Sequence, residues 1–160
     1  MSETEKLRYS YDQIHELVKG MAQRIVYSVG KIDVIVSIAT GGWIPARILR
    51  TFLPFSSDLP LPLFSIGIIN YDSSDHLLEQ AVIVQELPAA LNLTGKNVLL
   101  VDEVADSGGT FLKAVEYLQS KNPQTLFTAA LHLKEHSHFK PDFVGEFAGN
   151  NWIVYPWDAK

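Results

Sequence analysis

Two hydrophobic periods alternate along this chain. Ile14, Leu17, Val18, Met21, Ala22 and Ile25 recur at helical spacing. Ser10 and Gln13 sit ahead of them as a capping box, which predicts a helix starting near Tyr11. Asp33 to Ile38 is instead a short continuous apolar run, the pattern of a strand buried on both faces. It ends at Ala39-Thr40-Gly41-Gly42, and Pro45 falls in the first turn of a second helix reaching about Phe52. Further strands are expected at Leu63 to Ile69, Ala81 to Gln85, Val98 to Val101, Thr125 to Leu133 and Phe143 to Phe147, with a helix from about Gly109 to Gln119. Asn70 to Leu78 reads as a polar loop. Strands that alternate with helices predict an α/β fold, a mainly parallel twisted sheet flanked by helices. Neither a repeat nor an internal linker breaks the pattern, so residues 1–160 are expected to form a single domain.

In such sheets ligands bind beyond the carboxyl ends of the strands, where strand order reverses. Loops 39–43 and 102–110 both fall there and both carry suitable chemistry, which predicts one shared site. The second loop belongs to Val98–Thr110, VLLVDEVADSGGT. Its apolar start reads as a buried strand, its acids Asp102, Glu103 and Asp106 as a turn, and Ser107-Gly108-Gly109-Thr110 as a helix entry. Backbone N–H groups at a helix start, helped by the helix dipole, hold a phosphate. The carboxylates suit ribose hydroxyls, Mg²⁺ or a proton to be removed.

This segment resembles the 5-phosphoribosyl-1-pyrophosphate (PRPP) signature of the type I phosphoribosyltransferases. The likeness extends over nearly the whole chain and is closest to the 6-oxopurine branch, the hypoxanthine, guanine and xanthine enzymes. ATGGWIPARILRTFL at Ala39–Leu53 is similar to the pyrophosphate loop and following helix of that branch. NWIVYPWD at Asn151–Asp158 is similar to its purine-binding end. The resemblance implies the type I phosphoribosyltransferase fold with a small purine-binding hood, formed by about residues 134–160 with an N-terminal contribution. It also implies transfer of a phosphoribosyl group from Mg²⁺-PRPP to a ring nitrogen, with release of pyrophosphate.

Carried over residue by residue, Asp106, Ser107, Gly108, Gly109 and Thr110 match the 5′-phosphate cradle. Asp102 and Glu103 match the acids that contact the ribose hydroxyls, and with Asp158 they are the candidates for contact with the metal. Asp106 matches a carboxylate near purine N7, as general base or as acceptor from N7–H. Lys134, closing ALHLK, matches a lysine that donates to the 6-oxo group. Trp152 matches an aromatic that stacks on the purine, and Ile153 a residue whose backbone reads the base edge. Thr40, Gly41 and Gly42 match the pyrophosphate loop, with Gly41 and Gly42 as backbone donors and Thr40–Gly41 as the candidate for a non-proline cis peptide. Tyr71 falls where the family has a mobile lid. Trp157 reads as packing.

Several features depart from the family pattern. Many relatives carry Lys or Arg where this chain has Thr40, and no arginine follows Arg50. Arg47 and Arg50 are the candidates to compensate. Val154 has no polar group for the purine 2-position, which favours hypoxanthine and guanine over xanthine, and a lysine donor disfavours adenine. A non-catalytic PRPP- or nucleotide-sensing module of the same fold is the alternative, favoured by Thr40 and the missing late arginine.

Composition narrows the rest. The net charge is −5 with Lys and Arg scattered, which argues against nucleic-acid binding. There are no cysteines, so disulfides and thiolate metal sites are excluded. MSETEKLRYS has no signal-peptide core and no run is long enough to span a bilayer, so a cytoplasmic protein with no membrane partner is expected. His132, His136 and His138 read as structural or surface residues. The expected metal is Mg²⁺ carried by PRPP, and the expected assembly is a homo-oligomer, dimer or tetramer, with Trp43 and Ile44 as candidate contact residues.

Overall fold

The computed structural model describes residues 6–54, 59–74 and 76–158. Six strands form the main sheet: β2 (Val34–Ala39), β3 (Leu63–Tyr71), β4 (Leu77–Gln85), β5 (Asn97–Ala105), β6 (Thr125–Lys134) and β7 (Phe143–Gly149). Their order is β4-β3-β2-β5-β6-β7, with β4 antiparallel to β3 and the other pairs parallel. From β2 the chain first builds outward to β3 and β4, then returns to add β5, β6 and β7 on the other side. Strand order therefore reverses between β2 and β5, and the crevice of the fold opens at their carboxyl ends.

Alternate side chains divide between two cores. Ile35, Leu99, Val101, Ala129 and Leu131 face helices α1 (Tyr11–Val29) and α2 (Trp43–Phe52). Val34, Val36, Val98, Leu100 and Ala130 face α3 (Gly109–Gln119). Helix α1 begins at the expected capping box, with Gln13 N–H donating to Ser10 Oγ and Ser10 N–H to Gln13 Oε1. Its inner face is Ile14, Val18, Met21, Ala22 and Ile25. Truncating one of the large members, such as Ile25→Ala, would cost about 2–5 kcal/mol.

A second, two-stranded parallel sheet pairs β1 (Lys6–Arg8) with β8 (Trp152–Val154) and forms the hood. Its N-terminal strand lies in a stretch too short and too polar to show a strand period.

Two expectations change here. Strand β5 does not stop at Val101: it pairs with β6 as far as Ala105 opposite Leu133, so Asp102 and Glu103 lie on the strand and not in a turn after it. The expected polar loop is largely a hairpin, with Asn70 and Tyr71 ending β3 and Leu77 and Leu78 starting β4. Asp72 tightens the connection by accepting from the N–H groups of Ser74 and His76.

Candidate active site

Loops 40–42 and 106–108 meet at the carboxyl ends of β2 and β5. They line one cavity of about 320 Å³ together with Asn70, Tyr71, Asp102, Glu103 and Phe111. The two loops expected to share a site thus line a common cavity. The first loop lies hard against β5. A Cβ on Gly42 would stand 2.5 Å from the Val101 carbonyl oxygen, so no larger residue fits there without moving the strand. Gly42 N–H donates to Ile38 O, so this residue shapes the loop and does not present a backbone donor for pyrophosphate. The cis peptide is Ala39–Thr40, one bond before the expected one, where β2 ends its pairing with β3. Arg47 donates to Thr51 Oγ1 and Arg50 to Leu61 O. These bonds secure α2 and the loop after it, and neither arginine lines this cavity.

Asp102 and Glu103 are the acids of this cavity whose charged forms burial disfavours. Asp102 is 8% exposed. Burial pushes its carboxyl well up; the Glu103 N–H, donating at 2.8 Å, works against this, and the Glu103 charge adds to the rise. Burial also raises Glu103, opposed by the hydrogen bond from Trp157 Nε1 at 2.9 Å and reinforced by the charge of Asp158. Among the described residues no lysine or arginine pairs with either acid. Trp157 therefore does more than pack: its ring stacks on Tyr155 and its N–H holds Glu103. Tyr155 in turn donates to Glu103 O at 3.0 Å, so its oxygen accepts from His132 Nδ1–H at 2.9 Å. His132 is fully buried with Nε2 unpartnered, and desolvation lowers its pKa to about 4. It is a neutral scaffold residue.

The second loop turns on a glycine directly before a helix. Gly108 has φ +93°, a conformation open to glycine, and a Cβ there would meet Phe139 N at 2.7 Å. It precedes α3 and supplies no side-chain cap; Gly109 N–H donates to Ser107 Oγ at 3.4 Å, and the other first-turn N–H groups have no intrahelical acceptor. The segment after β6 braces the loop from behind, through His138 N–H to Ser107 O and the stacked rings of Phe111 and Phe139. Asn70 Nδ2 donates to Ser107 Oγ, and Tyr71 lines the same cavity as Ser107. Tyr71, expected in a mobile lid, thus stands beside the 106–108 loop as part of β3.

A second cavity of about 570 Å³ opens under the hood, lined by Lys6, Arg8, Glu103, Val104, Asp106, Lys134, Trp152 and Asp158, among others. Glu103 and Asp106 line both cavities, so the two are joined at these acids. Lys134 is nearly buried and donates to Asn151 O. Trp152 is exposed on the cavity wall, whereas the Ile153 side chain is in the core, so only its main chain can face a ligand. Asp158 accepts from Tyr155 N–H and closes the last turn. The described residues hold no group of three or more metal-ligating side chains, so Asp102, Glu103 and Asp158 do not form a cage by themselves.

The model of the phosphoribosyl transferase domain matches residues 10–159. The chain belongs to the phosphoribosyl transferase family. Over its full length it is 31% identical to xanthine phosphoribosyltransferase 1 of Saccharomyces cerevisiae, of which it covers 93%. It is also 31% identical to the hypoxanthine-guanine phosphoribosyltransferase of Schizosaccharomyces pombe, over 97% of this chain and 90% of the relative. A solved structure of a hypothetical protein from Neisseria gonorrhoeae with bound ppGpp matches with a TM-score of 0.82 at 35% identity, covering 99% of this chain and 92% of that one. These relatives place the transferase in the 6-oxopurine branch, as its motifs imply.

Sequence reasoning missed three residues of the site. Lys6 and Arg8 enter through β1, which exists only because β8 pairs with it. His136, read as a surface residue, lies 2.7 Å from Asp106. Its partner is 30 positions away, beyond the reach of local spacing.

Proposed function

We propose that this site transfers the 5-phosphoribosyl group of PRPP to a ring nitrogen of hypoxanthine or guanine, giving the nucleoside 5′-monophosphate and pyrophosphate. The reading rests most on one observation: Glu103 and Asp106 line both the phosphate-loop cavity and the hood cavity that holds Lys134 and Trp152. A ribose between the two would have its 5′-phosphate on residues 106–110 and its anomeric carbon facing the hood.

In this arrangement Trp152 stacks on the base, a contact worth about 1–3 kcal/mol. Nitrogen attack forms the C1′–N bond as the C1′–O bond to pyrophosphate breaks. Positive charge that develops on the sugar falls beside buried Asp102 and half-buried Glu103, neither of which pairs with a lysine or arginine among the described residues. Asp106 takes the N7 proton, and the Lys134 ammonium stabilises charge moving onto O6. Mg²⁺, when bound, neutralises pyrophosphate oxygens. Glu103 and Asp158 are the side chains that would hold it or its waters, and two acids on one cavity wall fit a metal delivered with the substrate. Lys6 and Arg8 supply positive charge that Thr40 does not.

The ppGpp held by the N. gonorrhoeae protein carries guanine, which supports a guanine-accepting hood and competition by guanine nucleotides here. We further propose self-association, with exposed Trp43, Ile69, Val82 and Val84 as the apolar surface available to a second copy. The function is tested by identifying the product formed from Mg²⁺-PRPP and guanine. Guanosine 5′-monophosphate is expected. Saturable PRPP or nucleotide binding with no product from any 6-oxopurine would instead favour the sensing module.

A further inference from the structure

Asp106 is not a free carboxylate. Its Oδ1 lies 2.7 Å from His136 Nε2, and His136 Nδ1 lies 3.0 Å from Asn150 Oδ1. The Asn150 amide is oriented from its other end, where Nδ2 donates to Glu135 Oε2 at 2.8 Å. A carboxylate oxygen and an amide oxygen only accept hydrogen bonds, so both ring nitrogens must carry protons. The ring that satisfies this geometry is the imidazolium.

We infer that His136 is a positioning residue for the reaction proposed above: held as an imidazolium by Asn150, it occupies Oδ1 of Asp106 and leaves Oδ2 to receive the purine N7 proton. This role rests on the 6-oxopurine reading. In the step itself the N7–H bond breaks and an Oδ2–H bond forms, and the proton later leaves to water across the exposed edge of the pair. The pair is about half exposed, with side-chain accessibilities of 54% for His136 and 46% for Asp106. An ion pair so placed adds little to stability, so its tight geometry is not explained by folding.

The charges around His136 agree with the bonding. The hydrogen bond to Asn150 and then the bond to and charge of Asp106 raise its pKa, against slight burial and the Lys134 ammonium at the end of β6. Glu135 accepts from the Asn150 amide that faces the ring. Above its pKa the neutral ring can serve one acceptor and not both. Asp106 or Asn150 then faces a lone pair, and turnover falls as pH rises through that value.

The test combines ¹⁵N-histidine NMR titration of the full chain with the pH profile of kcat. The expected spectrum has both His136 nitrogens protonated at neutral pH, with the pKa dropping in Asp106→Asn. The expected profile has a basic limb at the same pKa. His136→Gln should remove that limb and lower kcat on the order of ten- to a hundredfold, with the KM for PRPP changed less than about twofold. A singly protonated His136 at neutral pH, a titration unmoved by Asp106→Asn, or a His136→Gln profile that superimposes on wild type would each overturn the inference. If no purine turns over, the functional reading fails, and the NMR titration still decides the state of His136.

Discussion

The two ends of the acidic segment solve opposite problems. Asp102 and Glu103 lie on β5, raised in pKa by burial and without an ion-pair partner among the described residues. Asp106, three residues on, is half exposed and already paired with His136. An unpaired buried acid is costly unless a ligand brings positive charge, whereas a paired acid near solvent has its geometry set in advance. The inner pair suits a sugar that becomes cationic, and the outer acid suits a proton that must be taken from a defined atom. In the proposed reaction, one strand-and-turn segment divides the work between charge stabilisation and base chemistry.

The sharpest way to break this division is Asp106→Asn, which should lower kcat by about 10²–10⁴-fold. PRPP affinity measured by calorimetry should stay near wild type, because the inner pair and the phosphate-loop N–H groups remain. Equal losses in both quantities would show that the outer acid serves the sugar. Lys134→Met comes next. It should cost about 10²–10³-fold in kcat if the ammonium meets charge on O6, and the loss should appear in single-turnover rates. Trp152→Ala should raise the purine KM by roughly 5- to 150-fold, the equivalent of about 1–3 kcal/mol of stacking, with kcat less affected.

The smallest effect concerns stability and carries the opposite sign. The Asp102 pKa is higher folded than unfolded, so the folded state holds the proton more tightly. Stability therefore falls as pH rises from the unfolded value of about 3.9 through the folded one, and the full cost is present above it. Asp102→Asn keeps the acceptor for Glu103 N–H and removes the buried charge. It should melt about 2–4 °C higher at neutral pH if it recovers about 1 kcal/mol, with the gap closing on acidification, while turnover drops. A lower melting temperature in differential scanning calorimetry would show that the inner acids are not strained by burial.

Much of this arrangement was legible in the chain itself. Val98–Thr110 combines an apolar run, three acids and a glycine turn within one local segment, so the existence of the strand and the helix start at Gly109 could both be read there. The capping box at Ser10 and the Gly41-Gly42 turn were equally local. What escaped depends on partners distant in sequence. The true end of β5 is set by its pairing with β6 as far as Leu133. Trp157 reaches Glu103 across 54 positions, and Arg8 enters the hood cavity only through the pairing of β1 with β8. His136 looked like a surface histidine because its role comes from Asp106 and Asn150, which no periodicity links to it.

The most direct measurement is pyrophosphate release from Mg²⁺-PRPP with hypoxanthine, guanine, xanthine and adenine run in parallel. Release with hypoxanthine or guanine, weaker release with xanthine and none with adenine is the expected result. No release with any of the four bases, or release with adenine alone, would contradict the assignment of Asp106 and Lys134 to a 6-oxopurine.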